Sequence, residues 1–225
     1  MHRRRNLRRP ISTITLLRHA HALHNLAAYY FYRKNIPEYL KIRAQIMDEH
    51  NGDPGLSPIG VAEALSCRYL IDAITTRTGK VPRIFCSPSR RTQETAQLIA
   101  DKLPIILVPG LVERHWGPYE TPEIAEGQDI MEHLGHIHQL KRDPHYSVWE
   151  VQSLAHKFEE LRSEARMLYA QAKQGPILVV SHGETLRLTA PLLQGPFAYE
   201  TAEVNDMFSY PSFQNCVPRC IPIYA

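Results

Sequence analysis

Arg18 and His19 stand side by side just past an apolar, β-branched run, Ile14-Thr15-Leu16-Leu17. A second histidine, His182, leaves a second such run in ILVVSHGETLR, residues 177–187. A histidine beside an arginine at one strand end, with another histidine at a second, suggests a phosphate pocket. Transfer of a phosphoryl group needs several positive hydrogen-bond donors, a nucleophile in line with the leaving oxygen, and an acid to protonate that oxygen. Arginine suits the clamp because its planar fork donates two parallel bonds and stays charged. Histidine suits the nucleophile because one ring nitrogen can attack while a backbone acceptor holds the other.

The chain supplies the remaining parts. CSPSRRTQETA, residues 86–96, sets Arg90 and Arg91 in the first turn of a predicted helix, whose free amides would also favour an anion. LVERHWGPYE, residues 111–120, offers Glu113 as the acid. Two arginines near His19 should oppose its protonation. Glu113 has to carry a proton in the first step, which partial burial would favour. Other residues read more plainly. Arg90 is expected to be a solvated helix residue, and Arg114 fits a substrate contact and a surface role equally. His21 and His24 could share a metal, but the arginine beside them argues against a cation. His133, His136, His138 and His145 read as surface histidines, and the tyrosines between 29 and 39 as packing.

These residues require elements to hold them. Ser12–Leu17 is predicted as a strand, and residues 26–50 as two short helices separated at Pro37. GDPGLSPIG, residues 52–60, is a loop; Ser57 then caps a helix, with Pro58 at its first position, running to about Thr76. Further strands are predicted at Arg83–Cys86, Ile105–Val108 and Ile177–Val180. Helices are predicted at Pro88–Leu103, around Ile124–Leu134, at Glu150–Lys173 and at Glu184–Leu193, with the rest of 109–148 irregular. Residues 203–225 read as proline-bearing edge strands. Strands alternating with helices imply an α/β fold: one three-layer domain, a mostly parallel sheet with helices on both faces, and an inserted cap. Ligands of such sheets sit beyond the C-terminal strand ends, where every chemically loaded segment here lies.

Composition adds bounds. The 225 residues, 44% of them hydrophobic, suffice for one large domain with a sizeable core. Five of the first ten residues are arginine; without them 21 basic residues face 23 acidic ones, so the body is near neutral. Residues 1–11 are read as a basic, disordered tail and 12–225 as the domain; the tail is taken as solvated rather than as an arm for nucleic acid or lipid. No apolar run spans a membrane and no secretory signal is present. Four scattered cysteines read as reduced thiols, placing the protein in the cytoplasm. The oligomeric state is left open.

The motifs together resemble the histidine phosphatase superfamily, which includes cofactor-dependent phosphoglycerate mutases and fructose-2,6-bisphosphatases. The first motif, R-H-G-x-x-x-x-N, is matched by Arg18, His19 and Asn25, with Ala20 in place of glycine. Leu56, Ser57 and Gly60 match the second. Ser87, Arg91, Thr95 and Ala96 match the third, with Glu94 replacing glutamine. Leu111, Glu113 and Gly117 match the fourth, and Ser181, His182, Gly183 and Arg187 the fifth. Asn215-Cys216 resembles the last strand of the family. All five motifs occur in order.

The resemblance implies a catalytic set of His19, Glu113 and His182. His19 would become phosphohistidine; Arg18, Arg91 and His182 would bind phosphoryl oxygens; Glu113 would protonate the leaving group and then help activate water. Asn25, Ser57 and Gly183 would belong to the substrate pocket. No metal and no cofactor is implied, and the partner is a small phosphorylated substrate. The leading expectation is a phosphatase. A mutase is the alternative, kept open by the E-R-H-aromatic-G string, and a silent binding module of the same fold is the third. Glu150-Val151 departs from the acidic-serine motif of the family, and the 26–50 insertion is unusual; both bear on substrate rather than on chemistry.

Overall fold

The computed structural model describes residues 10–50, 52–115, 130–147 and 151–224. Its centre is β1, Ser12–Arg18, in which side chains alternate between two buried faces. Ile14 and Leu16 join one apolar cluster, and Leu17 joins a second on the opposite side. The strand β4, Ile177–Ser181, divides in the same way: Ile177 and Val179 face one cluster, Leu178 and Val180 the other. A strand apolar on both faces must be covered on both, which is the signature of a parallel central strand. β1 and β4 pair in parallel, and β4 pairs in parallel with β2, Arg83–Cys86.

β3, Ile105–Leu107, extends the sheet in parallel beyond β2, and β5, Arg219–Ile223, runs antiparallel along β1. The order is β3-β2-β4-β1-β5. Pro222 sits in β5, at the sheet edge, where the missing amide costs no ladder bond. Helix α7, Leu154–Gln174, covers one face with Phe158, Leu161, Ala165 and Leu168, all buried. Helix α8, Gly183–Leu192, packs beside it. On the other face lie α3, Pro58–Ser66, α4, Tyr69–Thr78, and α5, Arg90–Ala100. Each fully buried leucine or phenylalanine of these layers is worth about 1.5–3 kcal/mol against exposure.

The cap is a third apolar unit. It joins α1, Leu23–Tyr32, and α2, Ile36–His50, to α6, Ile130–Arg142, through Phe31, Tyr39, Ile46, Ile137 and Leu140. Among the described residues no helix is long and apolar enough to cross a membrane.

Several boundaries differ from expectation. The break in the cap falls at Lys34, whose φ is +57°, and Pro37 lies in the first turn of α2, where its missing amide is harmless. The helix after Ser57 ends at Ser66 and restarts at Tyr69; at the break Cys67 donates its thiol to the Cys216 carbonyl at 3.3 Å, a tertiary tie that the local sequence does not announce. Gly79, at φ +73°, stops α4. The helix expected from Glu150 begins at Leu154, because the Ser153 hydroxyl accepts the amide of His156. The expected helix around 124–134 is described from Ile130 and continues to Arg142; residues 124–129 lie outside the described part. The tail holds one strand only. Residues Val204–Ser209 form a 3-10 helix that Asp206 caps on the Glu203 amide. Residues 1–9, which carry the five N-terminal arginines, also lie outside the described part.

Candidate active site

All four parallel strands end at one edge of the sheet, and the residues that follow them converge there. His19 succeeds β1 and is 1% exposed. Its amide donates to the Ser181 carbonyl at 2.9 Å, and its carbonyl accepts Asn215 Nδ2 at 2.8 Å. The ring is oriented by Nδ1, which lies 2.7 Å from the Ala20 carbonyl. A carbonyl only accepts, so Nδ1 carries the proton and Nε2 keeps a free lone pair. Burial, and then Arg91 and Arg18, hold the His19 pKa well below its ordinary value of 6.5. The expected arginine effect is present, with desolvation the larger cause.

His182 caps α8 and sits against His19, ring centroids 5.4 Å apart. Its Nε2 meets the Ser87 hydroxyl at 2.9 Å, so Nδ1 is the ring atom left over, buried and without a hydrogen-bond partner among the described residues. His24 also lies against the His19 ring, at 5.3 Å between ring centroids, with a buried Nδ1 likewise unpartnered among the described residues. Burial, followed by Arg91 and His19, lowers the pKa of both well below 6.5.

Arg18 anchors one guanidinium nitrogen on the Phe213 carbonyl at 3.1 Å and leaves Nε buried without a partner among the described residues. Gly183 makes this possible, since a Cβ there would lie 3.2–3.4 Å from the Arg18 guanidinium. Arg91, on α5, reaches Asp53 at 3.3 Å. The same carboxylate accepts the Arg90 amide at 2.8 Å. The anion expected at the start of α5 is thus a carboxylate from the chain's own loop.

Glu113 is fixed by Thr185 in the first turn of α8, whose amide and hydroxyl both donate to Glu113 Oε1, at 3.1 and 2.9 Å. Its segment is clamped along its length. Buried Lys157 donates to the Gly110 carbonyl and Ser181 to the Leu111 carbonyl, while the Val112 carbonyl is the alternative acceptor for the one Thr185 hydroxyl proton. Arg18, Arg91, His24 and Glu113 line a cavity of about 270 Å³ together with residues of the cap and with Gly52 and Pro54 of the loop after α2.

Residues 14–203 match the family model of the histidine phosphatase superfamily, branch 1. The chain belongs to that superfamily. Solved structures of similar shape include a mycobacterial glucosyl-3-phosphoglycerate phosphatase in complex with VO3, at 16% identity and TM-score 0.65, covering 93% of this chain and 92% of that one. The alpha-ribazole phosphatase of Shigella flexneri is similar at 18% identity and TM-score 0.62, covering 92% and 89%. The Entamoeba histolytica phosphoserine phosphatase in complex with 3-phosphoglyceric acid follows at 20%, TM-score 0.58 and 95% of each chain. In sequence, the human ubiquitin-associated and SH3 domain-containing protein A is 28% identical over 183 residues. That match takes in 75% of this chain but only 27% of the length of the human protein.

Within this histidine phosphatase fold the expected site residues are not all equivalent. Arg18, His19, Arg91, Glu113 and His182 meet as expected. Asn25 lines the cavity but also closes α1, its Oδ1 accepting the Ala22 amide at 2.9 Å. Ser57 is buried away from the cavity wall: it caps α3 through the Gly60 amide and binds the ring of His21 at 2.8 Å. Its role is therefore architectural, and His21 is occupied by it. Gly183 acts as a spacer for Arg18.

Arg114 fits neither expected role. It is fully buried, donating to Glu184 and to the carbonyls of Gln152 and Leu140. Burial raises the Glu184 carboxyl, against the opposing pull of Arg114. Arg90 is half-exposed and pairs with Glu94, while Glu94 also accepts the Leu56 amide and so holds the 52–57 loop. Of the cap histidines, His138 and His145 are exposed, and His136 meets the Tyr146 hydroxyl at 2.8 Å. The sequence offered Ser87 only as a match to the third motif and His24 only as a metal candidate that the neighbouring arginine disfavoured. Nothing local pointed to Thr185 or Asp53.

Proposed function

We propose that this chain is a phosphatase that hydrolyses a phosphate monoester through a phosphohistidine on His19. The observation that carries this reading is the 2.7 Å contact between His19 Nδ1 and the Ala20 carbonyl, which leaves Nε2 as an unprotonated nucleophile. Arg18, Arg91 and His182 Nδ1 surround the position that the phosphoryl oxygens would take. In the first step Nε2 attacks phosphorus, the phosphorus–oxygen ester bond breaks, and Glu113 gives its proton to the departing alcohol. In the second, Glu113 takes a proton from water as that water attacks the phosphohistidine, releasing inorganic phosphate and restoring His19. The Thr185 contacts to Glu113 Oε1 support that carboxyl's assignment to both steps. Asn25 supports the pocket wall, and Gly183 admits Arg18. That a similar fold holds VO3 in the mycobacterial phosphatase is consistent with a phosphoryl pocket here. The string that kept a mutase open loses its force, because Arg114 is a buried structural residue rather than a pocket cation.

A phosphate-release assay with a generic aryl phosphate tests this. His19→Ala should lower kcat at least a thousandfold, and Glu113→Ala about a hundredfold or more. Activity unaffected by His19→Ala sinks the mechanism. Bisphosphate-primed interconversion of phosphoglycerates would replace it with the mutase.

A further inference from the structure

The cavity is built from two chemically different ends. The phosphoryl end holds Arg18, Arg91, His24 and Glu113; the other is walled by Ala28, Phe31, Tyr32, Tyr39, Ile46 and Ile137 from three cap helices. A phosphoryl group seated at the first end must lay its alcohol against the second. Most of that wall is aromatic and aliphatic carbon, with the Tyr32 and Tyr39 hydroxyls as its neutral polar groups. Its two cations are Arg43 and Lys141, the latter 3.5 Å from the Tyr32 hydroxyl, and Glu113 is the single carboxylate lining the cavity among the described residues. An ammonium on the alcohol therefore finds no counter-charge except at the catalytic acid. Resting on the phosphatase reading, we infer that the substrate is the phosphate monoester of an apolar, ring-bearing alcohol that is neutral or anionic, with selectivity set by the α1, α2 and α6 cap.

Esters of primary alcohols keep leaving-group reactivity matched. 2-Phenylethyl phosphate should exceed glycerol 3-phosphate and phosphoethanolamine in kcat/KM by at least tenfold. Ala28→Phe, which fills the apolar end, should cut kcat/KM for the phenylethyl ester at least tenfold, and by more than it cuts that for glycerol 3-phosphate. Turnover of all three within threefold overturns the apolar assignment while leaving the phosphatase standing. If none is hydrolysed, titrating His19→Ala with the same esters decides: tighter binding of the phenylethyl ester upholds the assignment, and equal binding overturns it.

A second inference rests on different atoms. Asn25 Oδ1 accepts the Ala22 amide, which fixes the amide orientation and turns Nδ2 toward His24 Nε2 at 3.2 Å. An amide nitrogen only donates, so His24 Nε2 accepts and the proton sits on Nδ1. That N–H is buried, has no partner among the described residues, and belongs to a ring 5.3 Å from the His19 ring. His182 shares both features: a ring 5.4 Å from that of His19 and a buried Nδ1 without a partner among the described residues. The geometry points to His24 as a fourth phosphoryl ligand, donating from Nδ1 to an oxygen that Arg18, Arg91 and His182 do not cover.

Vanadate binding measures this. His24→Phe keeps the edge-on ring contact but removes the donor, and should weaken vanadate and lower kcat/KM at least tenfold. His24→Asn returns an N–H near the Nδ1 position and should recover to within about threefold. Vanadate affinity of His24→Phe within twofold of the parent, at an unchanged melting temperature, overturns the role; so does failure of His24→Asn to bind better than His24→Phe.

Discussion

Arg114 Nε lies 2.7 Å from Glu184 Oε2, with the arginine side chain wholly withdrawn from solvent. The same guanidinium donates to the Gln152 carbonyl at 3.0 Å and to the Leu140 carbonyl at 3.2 Å. One side chain therefore joins the end of α6, the approach to α7 and the first turn of α8. It stands next in sequence to Glu113, so the proposed acid inherits its position from a structural pair.

Removing that guanidinium leaves a buried carboxylate and two carbonyls without their donor. Arg114→Met should destabilise the fold by about 3–5 kcal/mol. Arg114→Met with Glu184→Gln should recover part of this, since no buried charge is then stranded. Urea unfolding of the two variants makes the comparison. A loss under about 1 kcal/mol for the single variant would mean that the pair is solvated in solution.

The pH dependence of stability follows from His19 and His182, which are 1% and 0% exposed and held well below 6.5 by burial and then by Arg91. In the unfolded chain both rings protonate as pH falls through about 6.5, while in the folded chain they stay neutral. Stability is thus fully present above about pH 6.5 and is lost as pH drops below it. The slope approaches about 1.4 kcal/mol per pH unit for each histidine. Unfolding midpoints between pH 7.5 and 5 should show it, and His182→Asn should reduce the slope by about one histidine's share. A flat profile over that window would contradict the burial of both rings.

Asn215 ties the far end of the chain to the nucleophile. Its Nδ2 holds the His19 carbonyl at 2.8 Å, and the next amide, that of Cys216, holds the Arg18 carbonyl at 3.1 Å. Asn215→Ala should lower kcat about tenfold or more through a misplaced His19, because small displacements of reacting groups are expensive. The melting temperature should fall only modestly, since the lost bond lies at a half-exposed site worth about 1 kcal/mol. Unchanged kcat would show that Ala20 and Ser181 alone suffice to place the ring.

How far the sequence could be read depended on how local each signal was. The strands β1 and β4 were legible from their largely apolar, β-branched runs before Arg18 and before Ser181-His182. The candidate residues Arg18, His19 and His182 followed because they stand at the ends of those runs. Ser57 was legible as a cap, but its second contact, with the His21 ring 36 residues away, was not. The break at Cys67 was not legible, because its cause is a carbonyl 149 residues away. Arg114 was ambiguous for the same reason: a lone arginine in a loop reads as surface unless its partners, Glu184 and two carbonyls, are known. The residues that aim the catalytic groups, Ser87, Thr185 and Asp53, are common polar types whose importance arises only from the convergence of four strand ends.

Two glycines separate stability from activity within one fold. A Cβ at Gly60 would lie 1.8 Å from the His21 carbonyl, which is backbone and already accepts the Ser57 amide at 3.0 Å. Neither group can yield without opening the start of α3, so Gly60→Ala should cost about 3 kcal/mol. At Gly183 the neighbour is the Arg18 side chain, at 3.2–3.4 Å. A helical alanine there gains up to about 1 kcal/mol of intrinsic propensity, which offsets the crowding. Gly183→Ala should therefore unfold at nearly the parental urea concentration while losing about tenfold in kcat/KM, because Arg18 is pushed off its place beside His19. If instead Gly183→Ala turns over substrate as the parent does, Arg18 can shift without penalty and its clamp is less exact than its anchoring on Phe213 implies.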